Sequence, residues 1–173
     1  MKSEWETSLR AGETVRKDHP QIVFRGELDL TLALFADTAC AFKEEGKDDL
    51  AGGLESIIAL LRRIQSCEVT NAPVGGISML DMDSDTLRRM SHHPKREMGV
   101  EHVFADASMG RDICRLNVLR AQVRKVEVAA VTAFCGGEDR EDILMALNRI
   151  SSAVYVMMCL RRRRQTDERT MNI

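Results

Sequence analysis

Aromatic side chains are scarce in this 173-residue chain: they fill 4% of positions, with one Trp and one Tyr. A β-sandwich, which draws on aromatic and β-branched residues, is poorly served by that supply. Proline is rarer still, at three residues, so few points force a helix to break. The five cysteines (Cys40, Cys67, Cys114, Cys135 and Cys159) stand singly, with no CxxC pair. Their scatter argues against a disulfide framework or a cysteine-ligated zinc site and suits reduced thiols in the cytoplasm. No N-terminal run resembles a signal peptide and no apolar run approaches about 18 residues, so no membrane segment is expected. Charge of one sign is also missing. A net charge of −2 gives no global field to gather nucleic acid.

What is present is an aliphatic core supply, 44% apolar with ten methionines, in a length that suits one domain. Residues 1–19 are polar without sustained periodicity and read as an N-terminal arm. Pro20 opens a helix expected over 21–44, stopping near Gly46. A second helix is expected over 49–69, in spite of Gly52 and Gly53. "TNAPVGG" (70–76) is a break. A short helix covers "DSDTLRRM", capped by Asp83 or Ser84. Residues 91–110 read as a long irregular connection, a length usually tied to function or disorder. A third long helix is expected over 111–135, stopped by Gly136 and Gly137, and a fourth over 139–163. The fold class is therefore all-α, a bundle of four or five helices over 20–163. A solvated tail, 164–173, follows the run Arg161, Arg162, Arg163 and Arg164.

The segment "LNVLRAQVRKVEVAAV" (116–131) holds the most information. Leu116, Leu119, Val123, Val126 and Ala130 make one helical stripe; Arg120, Arg124 and Glu127, at i, i+4 and i+7, make another. The far side carries Val118, Ala121, Val128 and Ala129, so the charged stripe is expected to have buried surface on both flanks. The last helix repeats the device. Its apolar face is Ile143, Leu147, Ile150, Val154, Met157 and Met158, and Asn148, Ser152 and Tyr155 form a polar line with the same spacing. Burying unpaired charge costs several kcal/mol, on the order of 3–5 for a broken buried pair, so these lines must meet each other, another subunit or a ligand. Two readings stand. One is an interhelical ion-pair network, Asp29 with Arg120 and Glu127 with Arg124. The other is an anion site, since guanidinium forks suit phosphate oxygens.

Five words occur in order: "FRGELD" (24–29), "LRRMSHHP" (87–94), "ASMGRD" (107–112), "LNVLRAQVRKVE" (116–127) and "DILMALNRISSAVYVMM" (142–158). Together they resemble the ethanolamine-utilisation type of ATP:cob(I)alamin adenosyltransferase. Two of them also resemble the propanediol-utilisation type, through Arg–x3–Arg–x2–Glu and Leu-Asn-Arg-hydrophobic-Ser. The likeness covers roughly residues 17–160. It implies a helical bundle of the cobalamin adenosyltransferase type that moves the 5′-deoxyadenosyl group of ATP onto cob(I)alamin, making adenosylcobalamin and releasing triphosphate. Cobalt is then the nucleophile, in keeping with a sequence that offers no Ser–His–Asp or Cys–His arrangement. The protein's share is positioning and charge neutralisation.

The resemblance also assigns residues. Arg124 falls on the phosphate-binding arginine, Asn148 on a nucleotide-facing asparagine, and Glu127 on a glutamate that orients Arg124 or the nucleotide. Asp29 and Arg120 match an acid–arginine pair that joins neighbouring subunits at the ATP site. Phe104 falls where an aromatic covers the lower face of the corrin, and His92, in "SHHP", belongs to the corrinoid pocket or its loop. The implied assembly is a homo-oligomer, trimer ahead of dimer, with active sites between subunits and a reductase as electron source. The implied setting is the cytoplasm, with a bacterial microcompartment left open, and neither nucleic acid nor membrane is an expected partner. The Gly- and Thr-rich phosphate loop of the propanediol type is missing, leaving Lys17 and Arg25 to stand in as phosphate donors. The cysteine cluster that binds a divalent metal in many ethanolamine-type members is missing too. No protein-held metal is expected, Mg²⁺ entering only with ATP. His92, His93 and His102 match no zinc spacing. Two rival readings remain: a non-catalytic corrinoid- or nucleotide-binding bundle, and a nucleic-acid-binding helical protein resting on the arginine run.

Overall fold

In a computed structural model, residues 3–134 and 139–171 are described. Cys135, Gly136 and Gly137, where the third long helix was expected to stop, lie outside the described residues. Four long helices form the body: α1 (Pro20–Glu44), α2 (Asp48–Thr70), α5 (Arg111–Ala133) and α6 (Glu141–Met171). Two short ones, α3 (Ser84–His92) and α4 (Pro94–Met98), lie between α2 and α5. The α1–α2 connection is only three residues long, which folds the pair back as a helical hairpin. α1 also packs on α5, α5 on α6, and α6 on α2, closing a ring around one aliphatic core. The expected all-α bundle is borne out, and the predicted long helices are found within a residue or two of their expected starts.

Local chemistry explains the helix boundaries. Pro20 sits in the first turn of α1 and Lys43 in its last. Asp83 caps α3 by accepting from the Thr86 N–H at 2.8 Å. α2 runs straight through Gly52 and Gly53 because Gly53 is needed there. A Cβ at that position would lie 2.9 Å from Met157 Cε and 3.1 Å from Leu80 Cδ2, so the glycine lets α6 come close.

Three expectations need correction. Residues 1–19 hold a β-hairpin, β1 (Glu6–Arg10) with β2 (Glu13–Arg16), turned at Gly12 with φ +81°. Its polar residues hide the alternation, and Leu9 alone goes into the core. The stretch 91–110 is not one irregular connection. Pro94 starts α4, Gly99 ends it in the left-handed conformation, and Asp106 caps a 3-10 turn over Ala107–Met109. The longest coil left is 99–106. Finally, α6 continues through 164–171, where no Gly or Pro stops it. A second, two-residue hairpin pairs β3 (Ser78–Met79) with β4 (Met82–Asp83). α6 is long and apolar enough to cross a membrane by composition, although no such run was expected. In the structure 67% of that stretch is buried in the bundle, as in a core helix.

Ionic braces tie the helix ends. Asp112, at the start of α5, accepts from Lys47 at 2.6 Å and Arg161 of α6 at 3.0 Å. Arg164 pairs with Asp49 of α2, so two members of the arginine run are fastened to other helices rather than freely solvated. At the other end of α6, Arg140 donates to the carbonyls of Cys67 and Ala72, and Asp142 accepts from the Val74 N–H. Arg25 holds the N-terminal hairpin. Its Nε and Nη2 grip Glu68 at 2.6 and 3.1 Å, and Nη1 donates to the Leu9 carbonyl at 2.8 Å.

Two stability predictions follow from these braces. The Glu68 side chain is 1% exposed, so Arg25→Met strands a buried carboxylate. It should lose about 3–5 kcal/mol in a denaturant titration, most of it restored in Arg25→Met/Glu68→Leu. A fully stable single variant would refute the buried-pair account. Glu45, flanked by Lys47 and Arg115, has its pKa held down from 4.5 to about 2 by their hydrogen bonds. A carboxylate depressed on folding stabilises above its unfolded pKa and loses that contribution as pH falls toward the folded value. The melting temperature should therefore fall further between pH 4.5 and 2 than it does in Glu45→Gln; equal slopes would count against it.

Candidate functional site

Contacts between α5 and α6 fix their relative direction. Asp112 meets Arg161, Arg120 meets Tyr155, and Glu127 meets Asn148, so each step forward on α5 is a step back on α6. The helices are antiparallel, and their two polar lines face one cleft. The apolar stripes beside those lines (Leu116, Leu119, Val123, Val126 and Ala130; Ile143, Leu147, Ile150, Val154, Met157 and Met158) are all buried. Core packing thus turns the polar residues outward in register. The coil 99–106 and the end of α3 close the cleft, whose volume is about 550 Å³.

Arg120, Arg124, Glu127, Asn148, Phe104 and His92 all line this cleft. Among the described residues neither arginine has an ion-pair partner, so the ion-pair reading of the stripe fails within this chain. The Arg120 guanidinium instead lies over the Tyr155 ring, 5.3 Å from its centroid, and its buried Nε has no hydrogen-bond partner. Arg124 is exposed. The Glu127 carboxylate accepts from Asn148 Nδ2 at 3.2 Å, and Asn148 Oδ1 accepts from Arg149 Nη1 at 2.7 Å. Arg149 is itself buried and bonded to Ser84 Oγ; burial, then repulsion from Arg88, lowers its pKa. The Asn148 amide is therefore clamped in one orientation.

The opposite wall carries the aromatic groups. Tyr155 accepts from the Val103 N–H at 3.0 Å and meets His102 Nδ1 at 3.1 Å. Burial pushes its hydroxyl above the ordinary phenol range, which keeps it neutral. Phe104, next along the coil, is 80% exposed at the rim. Cys159, one turn beyond Tyr155, is buried, and its thiol is pushed up to about 11, far from thiolate reactivity. Cys40, Cys67, Cys114 and Cys159 are free thiols. Among the described residues no cluster of three or more His, Cys, Asp or Glu could hold a metal ion.

Three expected site residues do not line the cleft. Arg25 is committed to Glu68 and Leu9, which corrects its expected use as a phosphate donor: its fork is already occupied. Lys17 is exposed beside the hairpin. Asp29 is exposed on α1 without an ion pair among the described residues, and the expected pairing with Arg120 is absent within the chain. The far side of α5 is also open: Val118 and Val128 are 58% and 67% exposed, so the charged stripe has core on one flank only. Sequence reasoning placed Tyr155 on the polar line without a role and weighed His102 only as a metal ligand. Their meeting depends on a coil that periodicity does not describe.

A family model described as cobalamin adenosyltransferase matches residues 3–161. Among curated proteins, the corrinoid adenosyltransferase EutT of Escherichia coli (strain K12) is 37% identical over 157 residues, 89% of this chain. The protein of the same name from Salmonella typhimurium (strain LT2) is 36% identical over the same length. The chain spans about 57% of the length of these relatives. No solved structure gives a significant match.

Two cations without counter-charges should bind a polyanion. Inorganic tripolyphosphate at about 100 times its dissociation constant should raise the melting temperature by roughly 5–10 °C. Arg124→Ala, at an exposed position, should abolish the rise and leave the unliganded melting temperature unchanged. An undiminished rise in the variant would place the anion elsewhere.

Proposed function

The chain belongs to the cobalamin adenosyltransferase family, and from that premise we propose that it transfers the 5′-deoxyadenosyl group of ATP to cob(I)alamin, forming adenosylcobalamin. In that reaction cobalt(I) supplies the electron pair for the new Co–C bond, the C5′–O bond breaks, and its electrons leave with triphosphate. The observation that carries the reading is the cleft itself. Arg120 and Arg124, without an ion-pair partner among the described residues, the clamped Asn148 and Glu127, and the exposed Phe104 face one volume of about 550 Å³.

In this reading Arg124 and Arg120 bind the triphosphate and offset the negative charge that grows on it as the bond breaks. Asn148, its amide fixed by Arg149 and Glu127, directs Nδ2 at the nucleotide side of the cleft. Phe104 presents an apolar face to the corrin and His92 flanks it. Mg²⁺ enters with ATP, and a one-electron donor, a reductase in the cell, supplies cobalt(I). Lys17 remains available for the outer phosphates. The reaction is assigned to the cytoplasm, where the free thiols stay reduced.

A second copy of the chain completes the site. Val23 and Leu30 on α1 and Val118, Val128 and Val131 on α5 are each at least 41% exposed, an apolar surface that soluble monomers rarely leave bare. Asp29, about 100° round α1 from Leu30, is exposed and has no ion pair among the described residues. We assign this surface to a homo-oligomer, a trimer before a dimer, in which Asp29 reaches the Arg120 of a neighbour.

Incubating the protein with ATP, Mg²⁺ and chemically reduced cobalamin, and following the visible spectrum as the Co–C bond forms, tests the assignment. Arg124→Ala should lower turnover about 10²-fold, the scale for one lost transition-state contact. Binding without alkylation would instead favour a carrier of the cofactor, and normal turnover in the variant would remove Arg124 from the site.

A further inference from the structure

Tyr155 makes more contacts across the cleft than any expected site residue. Its ring lies under the Arg120 guanidinium at 5.3 Å. Its hydroxyl accepts from the Val103 N–H at 3.0 Å and meets His102 Nδ1 at 3.1 Å. The His102 ring lies alongside it, centroids 6.3 Å apart and planes 29° from parallel. The side chain is 8% exposed, so these bonds do not compete with bulk water. One residue thus touches both walls: the α5 cation and the coil that bears Phe104.

The coil makes this contact matter. Residues 99–106 have no regular secondary structure, and Phe104, 80% exposed, meets only the neighbouring His102 ring among aromatic groups of the described residues, centroids 6.5 Å apart. Its position is inherited from Val103, which is buried and whose N–H ends on Tyr155. Arg120 is in a similar state. With its Nε buried and unpartnered and no ion pair among the described residues, its guanidinium is oriented by the Tyr155 ring.

We propose that Tyr155 is a positioning residue that sets Arg120 and Phe104 against each other, tying the polyphosphate half of the cleft to the corrinoid half. The two halves of the side chain divide the task. The ring holds the cation, through its face. The hydroxyl holds the coil, through an N–H that would otherwise be buried without an acceptor. The proposal rests on the adenosyltransferase reading above, and its test keeps the two separable.

The test is equilibrium binding on the full chain, with Mg-ATP followed by calorimetry and cob(II)alamin by visible absorption. Tyr155→Phe keeps the ring and loses the hydroxyl. Its affinity for cob(II)alamin should fall about tenfold, with ATP affinity within about twofold of wild type. Tyr155→Leu loses both, and its ATP affinity should fall by about fivefold as well. His102→Ala, at an exposed position, should weaken cob(II)alamin by about threefold and spare ATP, and it decides the matter if Tyr155→Phe does not fold. A side chain that merely filled space would shift both ligands together. Equal weakening of both ligands in Tyr155→Phe, or none, overturns the proposal, as does unchanged ATP affinity in Tyr155→Leu. Wild-type protein that binds neither ligand overturns the functional reading itself.

Discussion

A guanidinium whose Nε is shut off from both water and acceptors forfeits on the order of 1–3 kcal/mol of hydrogen bonding, and Arg120 is held in that condition. The cause is the packing of α5 on α6. Five apolar side chains of α5 and six of α6 lock the helices together and fix the direction in which the residues beside them leave each helix. Everything at the cleft follows from that restriction. Arg120 settles on the Tyr155 ring, Arg124 stands without a counter-ion among the described residues, and Glu127 is satisfied by an amide rather than a cation. A protein under selection for stability alone would have no use for two such cations side by side.

Neutral groups around the cleft reinforce this electrostatic bias. Tyr155 is kept protonated by burial, and so is Cys159 behind it. Asn148 brings a dipole, fixed at both ends. The one carboxylate of the cleft, Glu127, accepts from that amide. Potential in the cleft is therefore dominated by the arginines, a field that favours a polyanion. Three carboxylates of the bundle are engaged elsewhere: Glu27 with Lys125 and Gln122, Glu68 with Arg25, Asp112 with Lys47 and Arg161.

Much of this was legible in the sequence, because helical periodicity states which residues share a face. The α5 and α6 stripes, and the meeting of Arg120, Arg124, Glu127 and Asn148, follow from spacing once two helices pack by their apolar sides. The family model and the curated relatives agree with the resemblance that the motifs suggested. Contacts between distant residues were not legible. Arg25 looked like a spare phosphate donor because Glu68, 43 positions later, gives no local sign that it will be buried. The N-terminal hairpin was missed because only Leu9 marks its inner face, and α4 because five residues are too few for periodicity. His102 and Tyr155 were each visible, but their bond depends on the path of the 99–106 coil, which no pattern encodes.

The braces at the ends of the bundle bear on what the cleft can accept. Asp112 with Lys47 and Arg161 ties α5 to α6 at one end, and at the other Arg140 and Asp142 tie α6 to the end of α2, while the cleft lies between them along α6. The buried stripes along α5 and α6, pinned at one end through Asp112 and Arg161, resist splaying, so the gap between the polar lines is set before any molecule arrives. A guest is gauged against a fixed aperture, and one of the wrong width is refused by geometry rather than by weak attraction. Adaptation is left to the coil, the one wall that is not a helix.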